Sequence, residues 1–143
     1  MKSLLLVVCA LASLGLAGCE RQQPSRQELI GTWTDTRTGA QLNLRSNGEM
    51  TLVRWPYSFI ADSNNNRPVS AKGGWKWFHE KPELFDDDVY HLSMWTSEID
   101  GRPEMREIIP NYGHDLTGIE ITRFRGDPDD GHALRFVKTS NKD

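Results

Sequence analysis

Residues 41–52 read QLNLRSNGEMTL. Leu42 and Leu44 alternate with Gln41, Asn43 and Arg45, the period-two pattern of a half-buried strand. Asn47-Gly48 follows, a dipeptide that tolerates the left-handed backbone of a two-residue hairpin turn. Met50 and Leu52 then resume the alternation. Twelve residues thus predict an antiparallel hairpin with one apolar face. Further on, Val53, Trp55, Tyr57 and Phe59 carry the apolar side chains on the opposite parity. That switch predicts a β-bulge near Leu52, or else a strand that is apolar on both faces. Pro56 argues against a strand that is central throughout its length.

Outward from this hairpin the same signals recur. The stretch 61–74, ADSNNNRPVSAKGG, reads as a loop. GWKWF follows, with Trp75 and Trp77 on one side, and HEKPELFDDD is a second, acidic loop. In VYHLSMWTS, Tyr90, Leu92 and Met94 oppose His91, Ser93 and Trp95. Asp100-Gly101 marks another hairpin. MREIIPNY, LTGIEITRF and HALRFVKT complete the set, with RGDPDDG as the last tight turn. In the other direction, Ser25 and Glu28 form a capping box that predicts a short helix ending at Gly31. The expected fold is all-β: a small antiparallel barrel of about eight strands with a short N-terminal helix, or alternatively a β-sandwich.

The first twenty residues have a different character. MKSLLLVVCALASLGLAGCE has a basic start, a compact apolar core and small residues after it, the layout of a secretory signal peptide. The apolar core is too short to span a bilayer, which takes roughly 20 apolar residues. Residues 16–19, LAGC, resemble the lipobox of bacterial lipoproteins. The resemblance implies a signal peptide over residues 1–18, diacylglyceryl attachment to the sulfur of Cys19, and cleavage before that residue. Cys9 would leave with the leader. Two or three acyl chains make a stable anchor where one is marginal. Residues 19–24 then form a lipidated tether whose ERQQP stretch reaches at most roughly 17 Å, and residues 25–143 form the domain. By the same resemblance Glu20, in place of Asp, points to the periplasmic face of the outer membrane.

Composition narrows the function. Of 17 Lys and Arg, Lys2 leaves with the leader; against 20 Asp and Glu the mature charge is −4. No basic patch is present to track phosphates, so nucleic acid is not an expected partner. With Cys19 acylated the domain has no disulfide and no thiol chemistry. A core must come from side chains, among them five Trp, five Phe and three Tyr.

Gly31-Thr-Trp33 after a short helix, the Leu42-x-Leu44 pattern ending in Gly48, and GGWKW at 73–77 resemble the small lipocalin-like domains, loosely over residues 25–100. The resemblance implies that Trp33 is a structural core residue packed across the closed end of a barrel. It implies a stacking arginine, Arg123 or Arg135, and an interior that can hold a small apolar ligand.

Catalytic motifs are missing. HEKPE has Glu83 where a zinc-binding helix needs its second His, and Pro82 would break that helix. There is no Gly-x-Ser-x-Gly and no phosphate loop. Asp86, Asp87 and Asp88, and Asp127, Asp129 and Asp130, read as turn formers rather than a calcium loop. The four histidines show no metal-ligand spacing. No enzyme activity, cofactor or metal is therefore expected. The expected function is a lipid-anchored, periplasm-facing binding protein that holds a small apolar ligand or a protein partner. The alternative is an immunity lipoprotein that neutralises a toxic effector in the periplasm. Acidic loops suit a basic partner. Candidate contacts are Asp86, Asp87, Asp88, Asp129 and Asp130, with Trp95 as an exposed aromatic.

Overall fold

The computed structural model describes residues 23–61, 63–80, 89–115 and 118–141. A single turn of helix, α1 (Arg26–Leu29), starts at the Ser25 cap. The Glu28 amide donates to Ser25 Oγ, and the Ser25 amide donates back to Glu28 Oε2 at 2.7 Å. Nine strands follow: β1 (Gly31–Asp35), β2 (Gln41–Leu44), β3 (Glu49–Pro56), β4 (Pro68–Glu80), β5 (Val89–Ile99), β6 (Arg102–Ile108), β7 (Asn111–Asp115), β8 (Gly118–Phe124) and β9 (Ala133–Ser140). They form one antiparallel sheet in the order β6-β5-β4-β3-β2-β1-β9-β8-β7. A single curled sheet excludes the two-sheet sandwich.

The count of eight survives in another form. Only Ile109 and Pro110 separate β6 from β7. Since every pairing is antiparallel, the pairing scheme makes β6 and β7 run in the same sense. Residues 102–115 are therefore one bent strand. Its first half pairs with β5 and its second half with β8. The Tyr112 hydroxyl reaches the Tyr90 carbonyl on β5 at 3.0 Å, so the second half still leans on the strand that the first half pairs with. Pro110, which has no N–H for a ladder, sits at the bend. An eight-strand meander is thereby curled into a barrel, with no hydrogen-bonded ladder between β6 and β7 among the described residues.

The opening hairpin forms, though its turn runs over Arg45–Gly48 and only Gly48, not Asn47, is left-handed. Leu42 pairs with Leu52 and Leu44 with Met50, all four buried on the concave face. Gly48 takes φ 86° in the turn, a conformation that costs a glycine little. The bulge falls between Leu52 and Trp55, where Arg54 adopts φ 57°. It turns Trp55 inward, fully buried, so the parity switch re-aims one side chain. Trp55 stacks on Phe136 of β9 at 5.0 Å and 16°. Trp33, Trp55 and Trp75 each donate their indole N–H at 2.8 Å to a backbone carbonyl, of Leu29, Gln41 and Arg45 respectively. Each buries its apolar body without stranding a polar atom.

Two expectations are corrected. The loop expected over residues 61–74 ends sooner, because β4 begins at Pro68. Val69 and Ala71 face the core, and the glycines continue the strand against β5. Neither Arg123 nor Arg135 stacks on Trp33. Lys138 does, with its Nζ 5.6 Å from the ring centre and donating to the Glu28 carbonyl at 2.7 Å. Arg135 is exposed and 3.6 Å from Glu120. Arg123 lies on the inward parity of β8, alongside Ile121, and its Nε donates to the Phe59 carbonyl at 3.2 Å.

Candidate functional site

The described core is continuous. Trp33, Trp55, Phe136, Leu29, Leu42, Leu52, Leu92 and Met94 are fully buried in one continuous cluster.

The most distinctive outer feature is Trp95. Strand alternation puts Leu92, Met94 and Thr96 inside and Trp95 out, 37% exposed. Its indole lies flat over Gly74, its pairing partner on β4; a Cβ there would collide with the six-membered ring. Gly73 meets the Trp95 backbone just as closely. Gly74 makes a shallow seat for the ring, and Gly73 lets the Trp95 backbone approach β4. The same cross-strand row continues to Glu49 on one side and Glu107 on the other. Trp95 thus pairs directly with the exposed Glu107, while Glu49, beyond Gly74, is 3.6 Å from Arg45. On the neighbouring strand Met105 is 78% exposed, and Ile109 just beyond it 59%. Large exposed apolar side chains rimmed by charge are the makings of a protein interaction surface.

A second feature is the acidic turn before β9. Asp127 Oδ1 accepts the Asp129 amide at 2.9 Å, Pro128–Asp130 form one turn of 3-10 helix, and Gly131 closes it at φ 72°. The Arg125 amide bonds the His132 carbonyl across its base at 2.9 Å. Asp129 and Asp130 are exposed on a turn whose backbone is fixed. Their strand, β9, is not paired with β5, which carries Trp95.

A third is aromatic. Trp77 packs against Tyr90 at 5.8 Å and edge-on against Tyr112 at 5.0 Å, while His79 stacks on Tyr90 at 4.4 Å. These rings finish the core where β4 and β5 run past the rest of the sheet. Burial pushes the Tyr112 hydroxyl above its ordinary pKa, and neighbouring Tyr90 adds to the effect. Gln23, at the start of the domain, accepts from that hydroxyl at 2.8 Å.

Cys19, Asp86, Asp87 and Asp88 lie outside the described residues. Trp33 is in the core, Trp95 on the outer wall, and Asp129 with Asp130 on the last turn. Sequence reading missed the seat under Trp95 and the inward-facing Arg123. Gly73-Gly74 opposite an aromatic was a usable signal for the first; Arg123 at the parity of Ile119 and Ile121 was the signal for the second. Among the described residues no three His, Asp or Glu groups are arranged to hold a metal ion. No family model matches this chain, and neither a curated protein nor a solved structure matches it.

Proposed function

We propose that this chain is a lipid-anchored protein of the bacterial envelope that binds a basic protein partner, without catalysis, on the outer wall formed by β5 and β6. Cys19 carries the anchor, and the domain faces the periplasm, held to the outer membrane. The observation that carries the reading is Trp95, seated on Gly74 and paired with Glu107. A pre-seated indole loses little conformational freedom on binding, and the Glu107 carboxylate in its row favours a cationic surface. The continuous buried cluster among the described residues favours a partner outside over an apolar ligand inside.

The immunity reading is a narrower version of the same role. It is favoured by the fixed acidic turn carrying Asp129 and Asp130, a rigid plug of negative charge suited to a basic cleft. The test is a pull-down from envelope extract with the full chain, its Trp95→Ala variant and its Glu107→Lys variant. The expected result is a basic protein recovered with the wild type and lost with Trp95→Ala. For Glu107→Lys, association should slow most at low salt. A partner retained equally by all three, or substrate turnover by the pure protein, would overturn the reading. Cys19→Ala should release the chain from membranes; continued sedimentation with them would remove the anchor from the proposal.

A further inference from the structure

At the mouth of the barrel opposite α1, the chain segment after β3 folds over the end of β8. A cleft of about 480 Å³ lies between them. Its polar walls are Ser58, Asn111, Arg123 and Arg125, with Phe124 and Pro128 as apolar neighbours. No Asp or Glu among the described residues lines it.

The two arginines differ in how they are held. Arg125 is braced, its Nη1 donating to Asn66 Oδ1 at 3.2 Å and its Nη2 to Asn64 Oδ1 at 3.4 Å. Ser58 Oγ donates to the same Asn66 oxygen at 2.6 Å, which ties the two cleft walls together. Arg123 is half-buried and turned inward. Its Nε is fixed by the Phe59 carbonyl, and among the described residues no hydrogen bond or ion pair occupies its Nη groups. Burial alone lowers its pKa, with no carboxylate acting in the other direction. A half-buried guanidinium without a counter-charge is costly to a fold, since buried cations are normally paired. The acidic turn nearby does not supply the partner: Asp127 caps Asp129, and none of its carboxylates lines the cleft.

We propose that this cleft is a binding site for a small organic oxyanion, a carboxylate or a phosphate monoester. Its head group would sit on the free edge of Arg123 and on Arg125, its apolar body against Phe124 and Pro128. A guanidinium offers two parallel N–H donors matched to such oxyanions, so Arg123 is the recognition residue and Arg125 reinforces it. The site is independent of Trp95, and its failure would leave the partner reading untouched.

The test uses the full chain, titrated with phenyl phosphate, benzoate and inorganic phosphate at constant ionic strength. Amide and guanidinium Nε–H resonances are the readout. The expected result is a saturable shift of the Arg123 Nε–H and of the Arg125 and Gly126 amides, with an aromatic oxyanion bound more tightly than inorganic phosphate. Arg123→Gln should weaken binding at least about tenfold, the loss of one charge-assisted pair. Arg123→Lys should fall between, because it keeps the charge and loses the fork. Should Arg123→Gln fail to fold, Arg125→Gln provides the same comparison. Preference for phenyl phosphate over benzoate would assign the phosphate class, and the reverse the carboxylate class. No saturable shift up to tens of millimolar, or binding unchanged in the folded variants, would overturn the site.

Discussion

Asp35 on β1 accepts the backbone amide of Arg135 on β9 at 2.9 Å, joining residues 100 positions apart. Its other carboxylate oxygen accepts the amides of Arg37 and Thr38 at 2.9 and 3.0 Å. A carboxylate only 2% exposed thus satisfies three backbone donors, two in the β1–β2 turn and one on the strand that completes the circuit. Asp35→Ala leaves those three backbone donors without their carboxylate. It should cost about 2–4 kcal/mol in urea unfolding. Asp35→Asn, which keeps one acceptor oxygen, should cost less. Equal stability in Asp35→Ala would mean that water replaces the carboxylate.

Trp33 closes the barrel between Leu29 and Lys138. Trp33→Ala should lose about 3–5 kcal/mol, as truncations of large buried aromatics do. Trp33→Phe should lose less, mainly the indole bond to the Leu29 carbonyl. A melting curve unaltered by Trp33→Ala would contradict its burial.

Gly73 and Gly74 are neighbours with opposite sensitivities. A methyl at Gly74 meets the far edge of the Trp95 ring, which can swing into solvent. A methyl at Gly73 meets the Trp95 carbonyl and the Thr96 Cα, which cannot move without breaking the sheet. Gly74→Ala should therefore keep most of the stability while displacing the Trp95 indole N–H resonance. Gly73→Ala should cost at least about 2 kcal/mol. The reverse order would show that the ring, not the backbone, is the fixed element.

Asp100 sits at φ 47° in the β5–β6 turn, beside Gly101 at φ 77°. The Ser70 amide, first, and then Arg67 hold its carboxyl below the ordinary aspartate range. The Tyr57 hydroxyl, and after it Arg106, do the same for Glu104. A folded-state pKa below the unfolded value gives stability that is present above the unfolded pKa, near 4, and lost as pH falls towards the folded one. Urea unfolding should therefore show stability falling below about pH 4. Asp100→Asn should flatten part of that fall. A variant with the same acid sensitivity as wild type would place the effect in other groups.

The pattern that was legible in the sequence is local. The hairpin at Asn47-Gly48, Ser25 with Glu28, and the parity change after Leu52 each act over a few residues, and each forms, although the hairpin turn runs over Arg45–Gly48. What was not legible depends on residues distant in the chain. Lys138 takes the place over Trp33 because the β1–β9 register brings those two residues opposite each other, and nothing within either strand states that register. Arg123 alternates correctly with Ile121, yet an arginine at an inward position reads as an error until the cleft beside it is known. The loop at 61–74 was overextended because glycines weaken a strand signal, although here they make room for Trp95.

The pairing of β1 with β9 sets an order of events during synthesis. Residues 31–35 are made first, and their partners, Phe136 to Ser140, about a hundred residues later. Until then Trp33 has one strand neighbour instead of two, and Trp55 lacks the Phe136 ring that covers it. A chain stopped before β9 would keep most of its mass and lose its closure, exposing unpaired edges on both β1 and β8. Such edges invite pairing with other chains. Loss of β9 should therefore be felt as aggregation of the whole domain, with the damage beginning at β1, made long before it.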